Sequence, residues 1–319
     1  MPLIKEIKTT DELLKKLNLY TKDMRLTRGA VLLFGKNPQF YFPSAYTKVG
    51  RFKTPTDILD TVVVEGNLFQ QLDRTIEAIK KHLNVKFDTS VKDFSLEGFA
   101  RQDVWEYPLD ALREALINAL IHRDYLGTAP IQIKIFDDYI EFWNLGKLLP
   151  PLKPEDLKKI HQANHRNPQI AAIFYYTGLI ESWGSGTIKM INLCKETGLP
   201  EPNFINYEEG IGALSVIFYK DIYTEENLLK MGLNKRQIKA VIYAKEKGKI
   251  TNKEYQEITN VKERTSTMDL ANIVKKGILQ KIGTTGKGTY YILNPAIKAQ
   301  KTQESSNKDA KIEKNGNEH

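Results

Sequence analysis

The 319-residue chain carries 47 Lys and Arg against 39 Asp and Glu, and its one cysteine is Cys194. A chain of this length holds two or three domains, and a single cysteine excludes an internal disulfide framework. The sequence has no run of 18 apolar residues and no apolar leader at its N-terminus. We therefore expect a cytoplasmic protein without a membrane partner.

The excess positive charge is concentrated towards the C-terminus. Residues 231–294 hold 13 Lys and Arg against 5 Asp and Glu, whereas residues 1–230 hold 29 against 30. A solvated lysine-rich face would explain such a segment. A concentration of this kind is also typical of a module that binds phosphate groups.

The first 82 residues predict a mixture of helix and strand. Residues 10–28 form a short helical segment that leads into a strand at 30–35. Residues 39–52 alternate aromatic and polar side chains, which favours an extended, half-buried segment. Residues 55–82 predict one long helix, because leucine and isoleucine recur there at helical spacing.

The middle of the chain predicts a layered α+β fold. A helix over 108–124 precedes two strands, PIQIKIFDD and YIEFWN, with a turn signal between them. A loop, a helix that starts at Pro168, a Gly-rich turn into another helix and the strand GIGALSVIFYK follow. This order predicts a two-layer α/β sandwich with helices on one face of a mixed sheet.

The C-terminal part predicts a separate small domain after a linker at 222–233. Helices over 234–247, 252–259 and 262–276 precede two strands, GILQKI and TYYIL, which is the pattern of a winged helix-turn-helix. The tail lacks aromatic residues and is predicted to be disordered. The predicted domains are an N-terminal α/β segment that packs on the sandwich (1–100), the sandwich (101–221), the linker (222–233), the winged helix (234–295) and the tail (296–319).

The helix predicted over 108–124 carries a polar stripe. Asp110, Glu114, Asn118 and His122 are four residues apart and share one face, while leucine and alanine occupy the other. An amide oxygen can bind Mg²⁺, and a carboxylate one turn away can polarise an attacking water. The stripe therefore suits nucleotide chemistry, although a solvated helix face explains the same spacing.

Two further elements would complete a nucleotide site. Gly184, Ser185 and Gly186 open a helix, where backbone N–H groups can hold phosphates. Asn144 and Gly146 follow a strand and begin a loop, which is a suitable place to hold a base. Each element is a weak signal alone, and the order of all three is more specific.

A resemblance to a known family rests on four motifs, which together span most of residues 24–219: YPLDALREALINALIHRDY, IEFWNLGKL, RNPQIAAIFYYTGLIESWGSGTIKM and, upstream, LTRGAVLLFGKNPQFYFPSA. These motifs resemble the Bergerat-fold (GHKL) ATPases, the class of gyrase, Hsp90 and histidine kinases. In particular they resemble the divergent branch of RecG-like or Schlafen/AlbA-type transcriptional regulators. In that family a winged helix often follows, and an AlbA-like domain usually precedes. The chain starts where that domain would end, so the resemblance implies a shortened relative.

The resemblance implies ATP and Mg²⁺ as ligands. Glu114 matches the catalytic Glu of the family's N-box, and Asn118 matches its Mg²⁺-binding Asn. Gly184 and Gly186 match the second glycine box, which lies at the lid over the phosphates.

The chain departs from the wider superfamily at the base. Asn144 stands where that superfamily has an Asp that accepts a hydrogen bond from adenine, and Leu148 stands where it has a glycine. Asn accepts without a charge, and charge-assisted hydrogen bonds are roughly twice as strong. Adenine binding is therefore expected to be weak, altered or lost.

His122 and Arg166 each allow two interpretations. His122 could contact a phosphate or shuttle a proton, or it could be a packed histidine of the sandwich. Arg166 could bind a phosphate through both guanidinium nitrogens, or it could cap its own loop.

The basic segment predicts a surface for double-stranded DNA. In a winged helix the third helix enters the major groove, and the wing contacts the backbone. The predicted contacts are Lys262, Arg264, Thr265, Ser266, Thr267, Lys281, Thr285 and Lys287. Winged helices also mediate protein contacts, but the concentrated charge favours DNA. Regulators usually read paired half-sites, which makes a homodimer plausible.

The sequence thus predicts a DNA-binding transcriptional regulator in which an ATP- and Mg²⁺-binding domain modulates a winged helix. One alternative is a DNA-associated ATPase with weak activity, against which the chain lacks the GxxxxGK[ST] phosphate loop of a helicase motor. Another is a regulator whose nucleotide pocket is degenerate, which Asn144 and Leu148 favour.

Overall fold

The computed structural model describes residues 9–88, 102–181, 184–221, 223–283 and 288–294. The chain divides into two compact units, residues 1–220 and 221–319. The elements of the first unit are α1 (Thr10–Lys16), α2 (Arg28–Phe34), β1 (Thr47–Thr54), β2 (Asp57–Val64), α3 (Leu68–Lys80), β3 (Val85–Asp88), β4 (Gln102–Trp105), α4 (Leu109–His122), β5 (Ile131–Ile135), β6 (Tyr139–Leu145), α5 (Pro168–Tyr176), α6 (Gly186–Glu196), β7 (Asn203–Tyr207) and β8 (Ala213–Tyr219).

The first unit is built on a mixed six-stranded sheet in the order β2-β1-β5-β6-β8-β7. Strands β1 and β5 run parallel, and the other neighbours are antiparallel. Helix α4 contacts β6 and the helices α3, α5 and α6. The predicted α+β class and mixed sheet are confirmed, and the arrangement is consistent with the predicted sandwich.

Helix α4 is apolar on most of its surface. Its isoleucine and alanine side chains and every leucine after Leu109 are buried, and they contribute to one core with the sheet and the neighbouring helices. A helix that is apolar nearly all round is stable only when it is covered on all sides. Of its polar side chains, Asp110 is exposed, whereas Glu114, Asn118 and His122 are half-buried.

Two predicted elements are wrong. The strand predicted at 30–35 is wrong because residues 30–34 belong to helix α2. Thr27 caps this helix, its Oγ1 accepting from Ala30 N at 3.2 Å, and Leu32 and Leu33 are buried. A short apolar run does not distinguish a strand from a buried helix. The predicted long helix over 55–82 is strand β2 followed by α3, since Asn67 and Gln70 form a capping box that starts the helix only there.

Other differences are smaller. Within 39–52 only the last part is a strand, because Pro38–Phe40 form a 3-10 turn. Strand β7 and the paired strands β3 and β4 were not predicted. Strands β1 and β2, from the predicted N-terminal segment, pair within the same sheet as β5.

The second unit consists of α7 (Glu225–Lys230), α8 (Lys235–Lys247), α9 (Asn252–Thr259), α10 (Glu263–Lys275), β9 (Leu279–Ile282) and β10 (Tyr290–Leu293). Strands β9 and β10 form an antiparallel pair, and the three longer helices pack around a core of their own. The predicted linker contains α7, and Leu228 and Leu233 are buried in this core. The predicted tail at 296–319 lies outside the described residues.

Candidate functional site

The polar stripe of α4 faces a cavity. Glu114, Asn118 and His122 line this first cavity, whereas Asp110 is exposed and does not. Asn118 Nδ2 donates a hydrogen bond to Glu114 Oε1 at 3.2 Å. The four-residue spacing therefore brings a carboxylate and an amide into direct contact at the wall of one cavity.

The start of α6 lies against this pair. A Cβ at Gly186 would collide with Glu114 Oε1 and would lie 3.6 Å from Asn118 Nδ2. Glycine is needed for so close an approach between a helix start and another side chain. The structure thus brings Gly186 and Gly184, which also lines the cavity, together with the stripe. Ser185 precedes α6 without capping it, and its Oγ lies 3.4 Å from Glu181 Oε2.

The segment of residues 147–163 lies over the first cavity. Leu148, Leu152 and Leu157 line it from this side, and the cavity volume is about 100 Å³. A Cβ at Gly184 would collide with the carbonyl oxygen of His161, so the segment also lies directly on the Gly-rich turn. Small-molecule sites usually enclose about 300–1,000 Å³. A nucleotide therefore requires this segment to move.

Burial changes the acidity of Glu114. It raises the pKa of the Glu114 carboxyl, while the charge of Lys189 and the hydrogen bond from Asn118 act in the opposite direction. A carboxylate with a raised pKa is a better proton acceptor near neutral pH. The side chain is therefore suited to polarise a water molecule.

Burial also keeps His122 neutral. It lowers the pKa of His122 to about 4, and the nearby His165, Arg166 and His161 lower it further as smaller causes. The rings of His122 and His165 are 5.5 Å apart, and burial lowers the pKa of His165 as well. At pH 7 these two side chains add no positive charge to the cavity wall.

Three predicted ligand contacts, Ser185, Asn144 and Arg166, do not line the first cavity. Asn144 is 3% exposed and its Nδ2 lies 3.1 Å from the Leu145 carbonyl, because β6 continues through Leu145 instead of ending before it. Arg166 Nη2 donates to the Lys147 carbonyl at 2.7 Å, which is the contact of a loop cap. Gly146 does line the cavity, with a φ of +109° that favours glycine.

The predicted DNA surface is divided by the packing of α10. Lys262, Arg264 and Thr267 are exposed, and Thr265 is half-buried. Ser266 is fully buried and its Oγ lies 2.6 Å from Asn252 Oδ1, so it cannot contact a base edge and that prediction is wrong. It faces inwards because a helix that packs on α9 must bury one side of its first turns.

The remaining predicted DNA contacts are in the β9–β10 region. Lys281 is exposed on β9. Thr285 and Lys287 lie outside the described residues.

Several residues that line the first cavity were not among the predicted site residues, and they include Thr187 and Glu181. The Oγ1 of Thr187 is buried and has no hydrogen-bond partner among the described residues. Thr187 directly follows the Gly-rich turn, so its position after the second glycine was the available signal.

In the described part of the chain, no helix is both long and apolar enough to cross a membrane.

Comparison with known proteins identifies part of the first unit. Residues 128–218 match the family described as "Putative ATP-dependent DNA helicase recG C-terminal". The chain contains a divergent ATPase-like domain. The match begins after α4 and ends within β8, so Glu114 and Asn118 precede the matched residues.

The chain is also similar in fold to a solved structure, the DIP2311 protein from Corynebacterium diphtheriae. The TM-score is 0.54 and the identity is 20%, over 94% of this chain and 60% of that one. At this identity the likeness concerns the fold alone, and the chain spans about 60% of the length of that protein. No curated protein matches the sequence.

Proposed function

We propose that the first cavity binds an adenine nucleotide together with Mg²⁺. The observation that carries this proposal is the contact of Gly186 with the Glu114–Asn118 pair. It joins a helix start, whose N–H groups favour phosphate, to the two side chains suited to metal and water. The match of residues 128–218 to an ATPase-like family supports the same ligand.

The residues at the phosphate end fit this ligand. The Asn118 carbonyl oxygen is a hard donor of the kind that Mg²⁺ prefers, and the backbone of Gly184 and Gly186 can approach phosphates without steric hindrance. The Oγ1 of Thr187, which has no hydrogen-bond partner in the part of the chain that the structure describes, can bond to a phosphate oxygen. Glu114 would orient and polarise a water. Bound Mg²⁺ would neutralise the phosphate charge.

The part of the site predicted to hold the base, around Asn144, favours a second candidate function. In this candidate the first cavity no longer binds a nucleotide. Asn144 does not line the cavity, and the segment 147–163 reduces its volume to about 100 Å³. If that segment is fixed, the ATPase-like domain acts as a structural or partner-binding module. The first candidate requires only that the segment opens.

Calorimetric titration with a non-hydrolysable ATP analogue, with and without Mg²⁺, tests the two candidates. We expect Mg²⁺-dependent binding to the natural chain and none to Asn118→Ala. The matched control is Asn37→Ala, which removes an exposed amide far along the chain from the stripe. Unchanged affinity in Asn118→Ala would contradict the assignment. An absence of binding to the natural chain at millimolar nucleotide would favour the second candidate.

We further propose that the second unit is a winged helix that binds double-stranded DNA, and that the protein is a transcriptional regulator whose nucleotide state alters DNA affinity. Three helices followed by an antiparallel strand pair support this proposal. So do the exposed Lys262, Arg264 and Thr267 on the first turns of α10. A homodimer on paired half-sites is part of the same proposal.

The salt dependence of DNA binding tests this second proposal. Logarithmic affinity should fall linearly with logarithmic salt concentration, by roughly 0.9 for each phosphate that the protein neutralises. Arg264→Gln should weaken binding, and Lys239→Gln should not, because Lys239 is an exposed cation on a different helix, α8. A flat salt dependence, or equal losses in both variants, would contradict the proposed surface. Phosphate release stimulated by DNA would instead indicate a DNA-associated ATPase.

A further inference from the structure

A second cavity, of about 400 Å³, lies in the first unit where α2 and α5 begin. Its apolar lining residues include Leu32, Leu126 and Ile170, and its charged lining residues are Arg28, Asp124 and Arg166. The volume is within the range of small-molecule sites, and it is larger than that of the first cavity. The second cavity is therefore large enough for a ligand without rearrangement.

The charges around this second cavity are not balanced. Arg166 Nη1 lies 4.0 Å from Asp124 Oδ2, and Asp124 Oδ1 accepts a hydrogen bond from Leu126 N at 2.9 Å. No ion pair or hydrogen bond between described residues engages the side chain of Arg28. Two cations and one anion leave a net positive charge on a half-apolar wall.

We propose that the second cavity binds a small anionic molecule with an apolar body, such as a carboxylate or a phosphate monoester. A planar guanidinium group matches the oxygens of either anion, and Arg28 is available for this role. The apolar body would contact Leu32, Leu126 and Ile170. This site is separate from nucleotide binding and DNA binding, and it does not depend on either proposal.

One short segment links the two cavities. Asn164 and His165 line the first, and the next two residues, Arg166 and Asn167, line the second. Arg166 Nη2 also donates to the carbonyl of Lys147, which lines the first cavity. A ligand that draws Arg166 towards itself therefore acts on the wall of the first cavity. This arrangement suits an effector site.

Phenyl phosphate combines an anion with an apolar ring and is the probe for this site. Calorimetric titration of the full chain, without nucleotide or Mg²⁺, should show saturable binding. Phenol and inorganic phosphate should each bind more weakly, because each lacks one half of the probe. Arg28→Gln should weaken the binding of phenyl phosphate by roughly 10- to 100-fold, and it should fold normally because Arg28 is exposed.

Two control variants separate this site from its surroundings. Arg25 is also an exposed arginine, three residues before Arg28, but it does not line the cavity. Arg25→Gln therefore removes the same charge and should leave the affinity for phenyl phosphate unchanged. Asn118→Ala should also bind phenyl phosphate normally, because Asn118 lines only the first cavity. Three outcomes would overturn the proposal: no binding at about 10 mM probe, equal affinity in Arg28→Gln, or loss of binding in Asn118→Ala. A failure of nucleotide binding would leave it intact.

Discussion

Thr187 shows how stability and ligand binding can conflict at one residue. Its buried Oγ1 has no partner among the described residues, and an unsatisfied buried hydroxyl costs about 1–3 kcal/mol. Thr187→Val keeps the shape and removes the hydroxyl, so the free energy of unfolding of the first unit should rise by about 1 kcal/mol. Urea unfolding measures this change, and calorimetry should show weaker binding of the Mg²⁺-nucleotide. The control, Thr177→Val, should lose stability because its hydroxyl donates to the Ile173 carbonyl at 3.1 Å. A loss of stability in Thr187→Val would contradict the argument.

The sequence could predict the side chains that share a helix face, but not the contacts that depend on the direction of a loop. Glu114, Asn118 and His122 follow from the helical period, which fixes their face whatever the surroundings. Arg166 was predicted either to bind a phosphate or to cap its loop, and its guanidinium group donates to the Lys147 carbonyl at 2.7 Å. No local pattern specifies on which side of a loop a long side chain lies. Ser266 has the same limitation, since its burial depends on how α9 packs against α10.

Elements with strong periodicity or clear turn signals were predicted well. Helix α4, the β5–β6 hairpin and helices α8 to α10 begin and end within about two residues of the predicted positions. Strand β2 was missed because the helix indicated by Leu68, Leu72, Ile76 and Ile79, which all lie in α3, was extended back to residue 55. Its eight residues include the β-branched run Thr61–Val64, which favours a strand, and they pair antiparallel with β1.

The segment 147–163 decides whether a nucleotide can enter the first cavity. Leu157 belongs to this segment, is 5% exposed and lines the cavity. Leu157→Ala should lower the free energy of unfolding by about 2–4 kcal/mol. It should also increase the affinity for Mg²⁺-nucleotide, because a closed segment competes with the ligand. Calorimetry compares it with Ile160→Ala, whose side chain is 85% exposed and should affect neither quantity. Unchanged or weaker nucleotide binding in Leu157→Ala would indicate a fixed, degenerate pocket.

At the scale of the whole molecule, charge and chemistry are divided between two units. The excess positive charge lies in the second unit, while the first unit contains the ATPase-like match and both cavities. Each unit has its own buried apolar core. The sequence could predict this division into two units, because the net charge and the hydrophobic periodicity of each segment can be evaluated separately along the chain. Whether nucleotide state alters DNA affinity is a property of the whole chain, which no segment pattern specifies.

The two units should respond differently to acid. His122 and His165 belong to the first unit, and burial lowers the pKa of both, that of His122 to about 4. An unfolded histidine binds its proton near pH 6.5, so between that pH and about 4 these two side chains hold more protons in the unfolded first unit than in the folded one. Its stability is therefore complete above about pH 6.5 and falls as the pH drops, by on the order of 1–3 kcal/mol.

Tryptophan fluorescence can isolate this effect, because all three tryptophans lie within residues 1–220, whereas far-UV circular dichroism reports both units. Acidification from pH 7 to pH 4.5 should lower the thermal midpoint of unfolding that fluorescence measures. In His122→Gln this midpoint should depend less on pH, because the substitution removes one of the two titrating histidines. Asp and Glu side chains also titrate at the lower end of this range, so the comparison with His122→Gln is what assigns the effect to the histidine. Equal pH dependence in the variant and the natural chain would show that His122 is not the group whose protonation destabilises the folded unit.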